Sequence, residues 1–459
     1  MGVVAALGWA ATLAANWPGH FPPDAISQLA QGRSGVFNLW HPPVMAWLLG
    51  VADRAISGSP LFFGCGSALF FASLAALAIA ARAGWISALA VAIVAASPLA
   101  LIYQGLVAKD VLFADAALAG FACLALAARW WDRRVPRAVL IGLAMALWVL
   151  AALARQNGAV VVIAGALALG ALGGAPLHWR RSIGVSAVAV AAMAGGAILA
   201  SAVLDSRSDG QPEGARQWMT LQIYDLAGAV RRQPALPLPV PARLDRFIRG
   251  PAAAAYDPAR VDSLVRLADW RALLQRPGPE AGRAWRGLII GHPGLYLAIR
   301  WAAFRQVLAT PDIQACAPVL VGIDGGDPKM LRAAGLTARD SPKDDWDGDY
   351  ATAFAGTPVF SHLAYGGLAI VLLAWAGFDV ARGRRALIAT AGLLAAALAF
   401  TVSYFVISIA CDYRYLYFLD VAAMAALVQR LGLIGQAGPR SGRAHGARAR
   451  TARATDSKM

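Results

Sequence analysis

The sequence predicts an all-α polytopic membrane protein with about 10 transmembrane helices, and three observations carry that expectation. Hydrophobic residues make up 59% of the 459 positions and charged residues only 15%, where a soluble domain carries about 25% charged residues. Mean hydropathy is +0.56. The apolar residues are also gathered into stretches near the length of about 20 residues that crosses a bilayer as a helix. A soluble cytosolic enzyme is excluded by this composition.

The stretches that read as spans are 2–17, 60–81, 85–103, 110–128, 138–154, 158–175, 183–203, 359–378, 386–408 and 415–432. The first is short and would continue to Trp17 at the interface. Between the first and second lies an amphipathic segment, 22–56, too polar to cross. Between the seventh and eighth lies a hydrophilic insert, 204–358, holding nearly all the acidic clusters, among them Asp324, Asp327, Asp340, Asp344, Asp345, Asp347 and Asp349. The expected division is a membrane module at 1–203 with its first outer loop at 17–59, the insert at 204–358, a second membrane module at 359–432 and a basic tail at 433–459.

Orientation follows from the basic residues, which are held back in cytoplasmic loops during insertion. One set of alternate loops carries Arg82, Arg129, Arg133, Arg134, Arg137, Arg180, Arg181, Arg382, Arg384, Arg385 and the Arg-rich tail. The other set offers only Arg33, Arg54, Lys109, Arg155 and Arg414 in its short loops. Both termini are then cytoplasmic and the insert faces outward, in a style that suits a bacterial inner membrane. The net charge of +15 is thereby a topology signal, with the tail lying on anionic lipid, and nucleic acid is not expected as a partner.

The polar residues that break this pattern all fall on the outer side. Asp24 follows Pro22-Pro23, which suits a helix start, and shares a face with Gln28 and Gln31 while Ile26 and Leu29 turn toward lipid. It reads either as a dipole-complementing acid or as a general base at the water–lipid boundary. His41, before Pro42-Pro43, is a polar cap or a substrate contact. Lys109-Asp110 opens a span, where charges face a cavity or a partner rather than lipid. Lysine is rare here, with 4 among 41 basic residues, and its compact charge suits a phosphate. Asp115, a turn further in, is expected to line the same cavity.

Arg155-Gln156-Asn157-Gly158 is a helix stop, or Arg155 is a second phosphate ligand. Asp412 and Arg414, in Cys411-Asp-Tyr-Arg-Tyr-Leu-Tyr417, are a structural pair or hold a phosphate or sugar. Cys316 and Cys411 both face outward, where disulfides persist, and a bridge between them is left open. No Cys/His spacing marks a zinc site. Asp345-Trp-Asp347-Gly-Asp349 lacks the spacing and terminal Glu of a calcium loop and reads as a solvated acidic turn.

The phrases PGHFPPDAISQLAQGRSGVFNLWHPPVMAWL, KDVLFAD, ARQNG and DYRYLYFLD together resemble the GT-C class of polytopic membrane glycosyltransferases. The likeness is to family 39, relatives of protein O-mannosyltransferases and the aminoarabinose transferase of lipid A. It covers the frame of spans and not the insert. The resemblance implies a GT-C-like fold, a polyprenyl-phosphate-linked sugar as donor and an inverting transfer. Asp24 takes the place of the catalytic acid of the first outer loop, and Lys109, Arg155 and Arg414 take the places of phosphate-binding cations. Many members carry two adjacent acids in that loop where Asp24 stands alone, which leaves a divalent metal open, with Asp110 as the candidate second carboxylate. The acceptor is a glycolipid, a polysaccharide or a protein.

The chemistry fits on its own terms. Displacement at an anomeric carbon needs a base for the acceptor hydroxyl and cations for the departing phosphate. A lipid or solute transporter is the alternative, and a scaffold acting through the insert a third reading. Transporters tend to internal repeats and midplane binding groups, whereas no repeat is evident and the charges gather at one face.

Overall fold

A computed structural model of the chain describes residues 1–434 apart from 83, 175–178, 276–277 and 324–326, and apart from the side chains of 313 and 314. Asp324 and the basic tail from 435 onward lie outside the described residues.

Helices of ten or more residues are numbered here in chain order. They are α1 Gly2–Asn16, α2 Pro23–Ser34, α3 Val44–Ala55, α4 Pro60–Ala80, α5 Trp85–Ala96, α6 Lys109–Arg129, α7 Arg134–Ala154, α8 Ala159–Gly173 and α9 Trp179–Asp205. The insert contributes α10 Glu213–Arg232, α11 Glu280–Gly291, α12 Pro293–Ala309 and α13 Pro342–Thr352, and α14 His362–Ala381, α15 Ile388–Ile407 and α16 Tyr417–Ile434 follow. Among the described residues the only β-pairing is a set of isolated bridges. The all-α polytopic class is as expected.

Every stretch expected to span holds a helix, but not every helix is long enough to cross. Among the described residues seven are long and apolar enough, and an eighth span forms if α5 is joined to Pro98–Gly105 across a bend of 70°. The bend has a local cause. Ser97 precedes Pro98, whose ring disfavours the helical region for its predecessor, and Ser97 is extended at φ −69° and ψ 146°. α1 and α8 are apolar but shorter, at 15 residues each.

The bundle has an inside. α6 and α16 are 78% and 72% buried over their apolar windows, against 17% for α9. Small residues let the inner helices approach. Trp148 of α7 lies against Gly120 and Gly165, where an added Cβ would come within 2.3 and 2.6 Å of the indole.

The insert has its own core around Tyr224, Ile248, Trp270 and Ile299, and it is bolted to the bundle. Buried Arg300 pairs with Asp225 at 2.7 Å and donates to the Phe405 and Ser408 carbonyls at 3.0 and 2.6 Å. Cys316 and Cys411 form a disulfide. Backbone hydrogen bonds add stitches, Phe21 N–H to Gly322 O and Phe37 N–H to Arg207 O, both at 2.9 Å.

Two expectations fail here. Ile26 and Leu29 are fully buried rather than turned to lipid. α2 is held between its neighbours, so tightly that a Cβ on Gly32 would lie 2.4 Å from the Ala46 carbonyl of α3. Asp345 to Asp349 is not a solvated turn but part of α13, started by a Ser341–Asp344 capping box. Asp347 is wholly buried in it.

Candidate active site

The described geometry brings together all seven residues singled out at the outer side, at the ends of four helices. Pro22 is extended and Pro23 opens α2, so Asp24 stands in its first turn at the edge of the bundle, about a third exposed. The loop behind it is pinned by side chains. Gln31 Oε1 accepts from Asn38 N–H at 2.9 Å and Asn38 Oδ1 from Trp40 N–H at 2.8 Å, and these set His41. Lys109 and Asp110 are the first residues of α6, after extended Ala108. Arg155 leaves α7 in an extended conformation, with Asn157 Nδ2 donating to Ser403 Oγ at 2.8 Å. Arg414 lies in the turn Tyr413–Leu416 ahead of α16, three residues from the disulfide.

The contacts form a chain of alternating sign. Lys109 Nζ donates to His41 Nδ1 at 2.6 Å. An ammonium has no acceptor, so the imidazole proton sits on Nε2, which faces Asp24 Oδ1 at 3.6 Å. Asp24 Oδ2 accepts from Arg414 Nη2 at 2.9 Å, and the same nitrogen reaches Asp412 Oδ2 at 3.1 Å. Arg414 Nε stands 3.8 Å from Asp110 Oδ2, whose partner oxygen pairs with Arg155 Nη1 at 2.5 Å. Three cations thus face three carboxylates across one neutral imidazole.

The electrostatics follow. Burial would raise the Asp24 pKa, but the His41 hydrogen bond and then the charges of Arg414 and Lys109 hold it well below the ordinary carboxylate range. Burial, and then Lys109, lower that of His41 against the opposing pull of Asp24. Around neutrality the pair is a carboxylate beside a neutral ring.

Other residues join the site that the sequence did not mark. Arg260 of the insert approaches Asp412 Oδ1 at 3.9 Å. Tyr404 accepts from Arg155 Nη2, and the Tyr415 ring lies 5.3 Å from the Arg155 guanidinium. Tyr415 sat in a conspicuous phrase beside Arg414 without being marked out, while nothing near Arg260 signalled a site. Asp115 corrects an expectation. It is buried in α6 with Gln104 Nε2 on its Oδ1 at 2.8 Å, packed near Gly66 of α4, and makes no ion pair with the cluster.

An apolar groove runs up to Arg155. A cavity of about 560 Å³ between α3, α7 and α9 is lined by Trp47, Val149, Leu150, Leu199 and Val203. It shares Val44, Leu153 and Leu204 with a smaller one of about 190 Å³ that ends on Arg155 and Gln156. The groove opens on α9, whose Ile198 and Leu199 lie on the outside of the bundle.

A second constellation, His20, Asp344 and Asp347, places metal-ligand atom types within 4.8 Å of one another. Most of its capacity is spent. Gly322 N–H donates to His20 Nδ1 at 2.9 Å, so Nε2 carries the proton and donates to Asn16 Oδ1 at 2.9 Å. Asp344 accepts from Arg339 and Ser341. A ring with its lone pair committed, 3.3 Å from a guanidinium nitrogen, is a poor cation ligand. Burial, with Arg339 assisting, lowers the His20 pKa to about 4. Burial, against Lys343, pushes Asp347 up to about 7. The cluster is a joint between the first loop and α13.

Fold and site define a class, an all-α polytopic membrane protein with an acid–base cluster at one end of its bundle and an apolar groove leading to it. No family model and no curated protein matches the chain. Among solved structures it is similar to archaeal oligosaccharyltransferase AglB from Archaeoglobus fulgidus in complex with an inhibitory peptide and a dolichol-phosphate. The TM-score is 0.42 at 13% identity, over 94% of this chain and 50% of that one. It is also similar to the Archaeoglobus fulgidus oligosaccharyltransferase in the apo form, with TM-score 0.43 and 14% identity over 94% and 50%. The same enzyme tethered to an acceptor peptide gives 0.43 and 13% over 93% and 49%. The chain spans about half the length of these structures.

Proposed function

We propose that this protein transfers a glycosyl group from a polyprenyl-phosphate donor to an acceptor hydroxyl at the Asp24 end of the bundle. The observation that supports this best is one juxtaposition. A partly exposed carboxylate, Asp24, contacts Arg414 and His41, with Lys109 on that imidazole and Arg155 on neighbouring Asp110, and Arg155 ends an apolar groove walled in part by exposed residues of α9. A lipid phosphate is the ligand whose two halves match those two surfaces.

In the proposed reaction the acceptor oxygen attacks the anomeric carbon as the bond to the donor phosphate breaks, with inversion. Asp24 receives the acceptor proton, and polyprenyl phosphate leaves with the bonding electrons. A carboxylate held so low is a weak base, which suits a hydroxyl that becomes acidic only as its new bond forms. Lys109 and Arg155 stabilise charge on the departing phosphate. Arg414 is shared between Asp24 and the phosphate, so donor binding draws it from the carboxylate and raises the basicity of Asp24. His41 orients Asp24 through Nε2–H, Asp110 holds Arg155, and Asp412 holds Arg414. A divalent metal would compete with Arg414, whose guanidinium already lies between Asp24, Asp110 and Asp412.

The reaction is placed at the outer face of a bacterial inner membrane, with cytoplasmic termini and the insert covering the site and selecting a glycolipid, polysaccharide or protein acceptor. Native mass spectrometry in mild detergent tests the donor half. Wild type is expected to retain an added polyprenyl phosphate that Lys109→Ala and Arg155→Ala lose. Retention of bulk phospholipid alone, after incubation with polyprenyl-phosphate sugars, would sink the reading.

A further inference from the structure

At the other end of the bundle one group of arginines has no carboxylate beside it among the described residues. A cavity of about 510 Å³ lies there, lined by Trp131, Arg137 and Ile141 at α7, by Arg181 of α9, by Arg385 just ahead of α15, and by apolar residues of α8 and α9. No acidic side chain lines it. The three arginines come from three separate segments, and none forms an ion pair among the described residues, whereas their neighbours Arg384 and Arg430 are drawn to Asp379 at 3.2 and 3.9 Å. Arg137 is fixed in place, donating to the Trp131 carbonyl at 2.8 Å with its guanidinium 4.9 Å from the indole.

Arg385 also borders a larger cavity of about 860 Å³ between α8, α9 and α14, walled mainly by apolar residues such as Leu167, Ile183, Val190 and Val380. A basic, aromatic-flanked cup opening into an apolar trough has the two chemistries of a phospholipid in their natural order, and basic pockets between membrane helices hold anionic headgroups.

We propose that this end binds one anionic phospholipid, its phosphate among Arg137, Arg181 and Arg385 and its acyl chains along α8, α9 and α14. The site lies a full helix length from Lys109, since α6 runs 21 residues, or about 30 Å. It rests on no part of the glycosyl-transfer reading.

The test is native mass spectrometry of delipidated full-length protein titrated with phosphatidylglycerol, phosphatidylcholine or inorganic phosphate. Wild type is expected to retain one phosphatidylglycerol with at least about 10-fold preference over phosphatidylcholine, since each surface cation adds to anionic-lipid binding. The preference should be lost in Arg137→Gln/Arg181→Gln/Arg385→Gln and reduced in Arg181→Gln alone, a single exposed position that guards against misfolding of the triple variant. Arg54→Gln, an exposed position outside both sites, should leave it unchanged. Equal retention of the two lipids, an unaltered preference in the triple variant, its loss in Arg54→Gln, or phosphate alone displacing the lipid would each overturn the proposal.

Discussion

The two ends of the helix bundle use arginine in opposite ways. At the Asp24 end, Arg155 is buried and Arg414 only 11% exposed, and each is answered by carboxylates at 2.5 to 3.1 Å. At the other end Arg181 and Arg385 are exposed and no carboxylate lines their cavity. A buried, answered charge is fixed in place and can exchange partners when a ligand brings a new anion. An exposed, unanswered one is available to any anionic surface. The residue type is the same, and burial and the neighbouring carboxylates set the two groups apart.

The sharpest way to break this comparison is at its carboxylate. Asp24→Asn is expected to lower turnover by about 10²- to 10⁴-fold, the range of a positioned acid–base group, while retaining the polyprenyl phosphate in native mass spectra. Near-normal turnover of a polyprenyl-phosphate sugar by this variant would remove Asp24 from the reaction.

Next in size is the cost of leaving a buried charge alone. Asp110 is 2% exposed, so Arg155→Ala should destabilise by about 3–5 kcal/mol, read as thermal unfolding in detergent. Arg155→Ala/Asp110→Asn should regain most of that stability without regaining donor binding. At the opposite end Arg385→Gln should lie within about 0.5 kcal/mol of wild type. Equal costs at the two ends would erase the distinction.

A smaller effect probes what holds the Asp24 helix. With Ala46 O only 2.4 Å from its added Cβ, Gly32→Ala is expected to cost about 1–3 kcal/mol, as overpacking does, and to slow turnover by displacing Asp24. A separate test concerns pH. Asp347 titrates at about 7 in the folded chain against 3.8 for a free carboxyl, so the native state binds the extra proton. The contribution of Asp347 to stability should be fullest below about pH 4 and be lost as pH rises through about 7. Asp347→Asn should flatten that slope in unfolding curves taken across the range, and an unchanged slope would place the proton elsewhere.

Much of this was legible in the sequence, for reasons that are themselves physical. Apolar runs announce helices because the bilayer tolerates little else, and a charge opening a span, as at Lys109-Asp110, is too costly to be idle. What could not be read depends on contacts between distant segments. Whether α2 faces lipid or core turns on α3 lying against Gly32, and Ile26 and Leu29 look alike in either case. Asp347 read as solvated because its neighbours are acidic, yet it packs toward His20, more than three hundred residues away in sequence. Arg260 carries no local mark, because its meaning comes from Asp412. The bend at Ser97-Pro98 was visible as a proline, though not its size.

The disulfide carries one more implication. Cys411 follows α15 and immediately precedes the turn that holds Arg414, while its partner Cys316 lies 95 residues earlier in the insert. In the proposed topology both thiols must reach the oxidising side before the link can close, and Cys411 arrives there only when α15 has been threaded. The bond then acts as a seal on a finished product. A chain that ends before α16 has Asp24 and Lys109 but not Arg414, so in the proposed reaction its site would be incomplete until the last membrane segment is made.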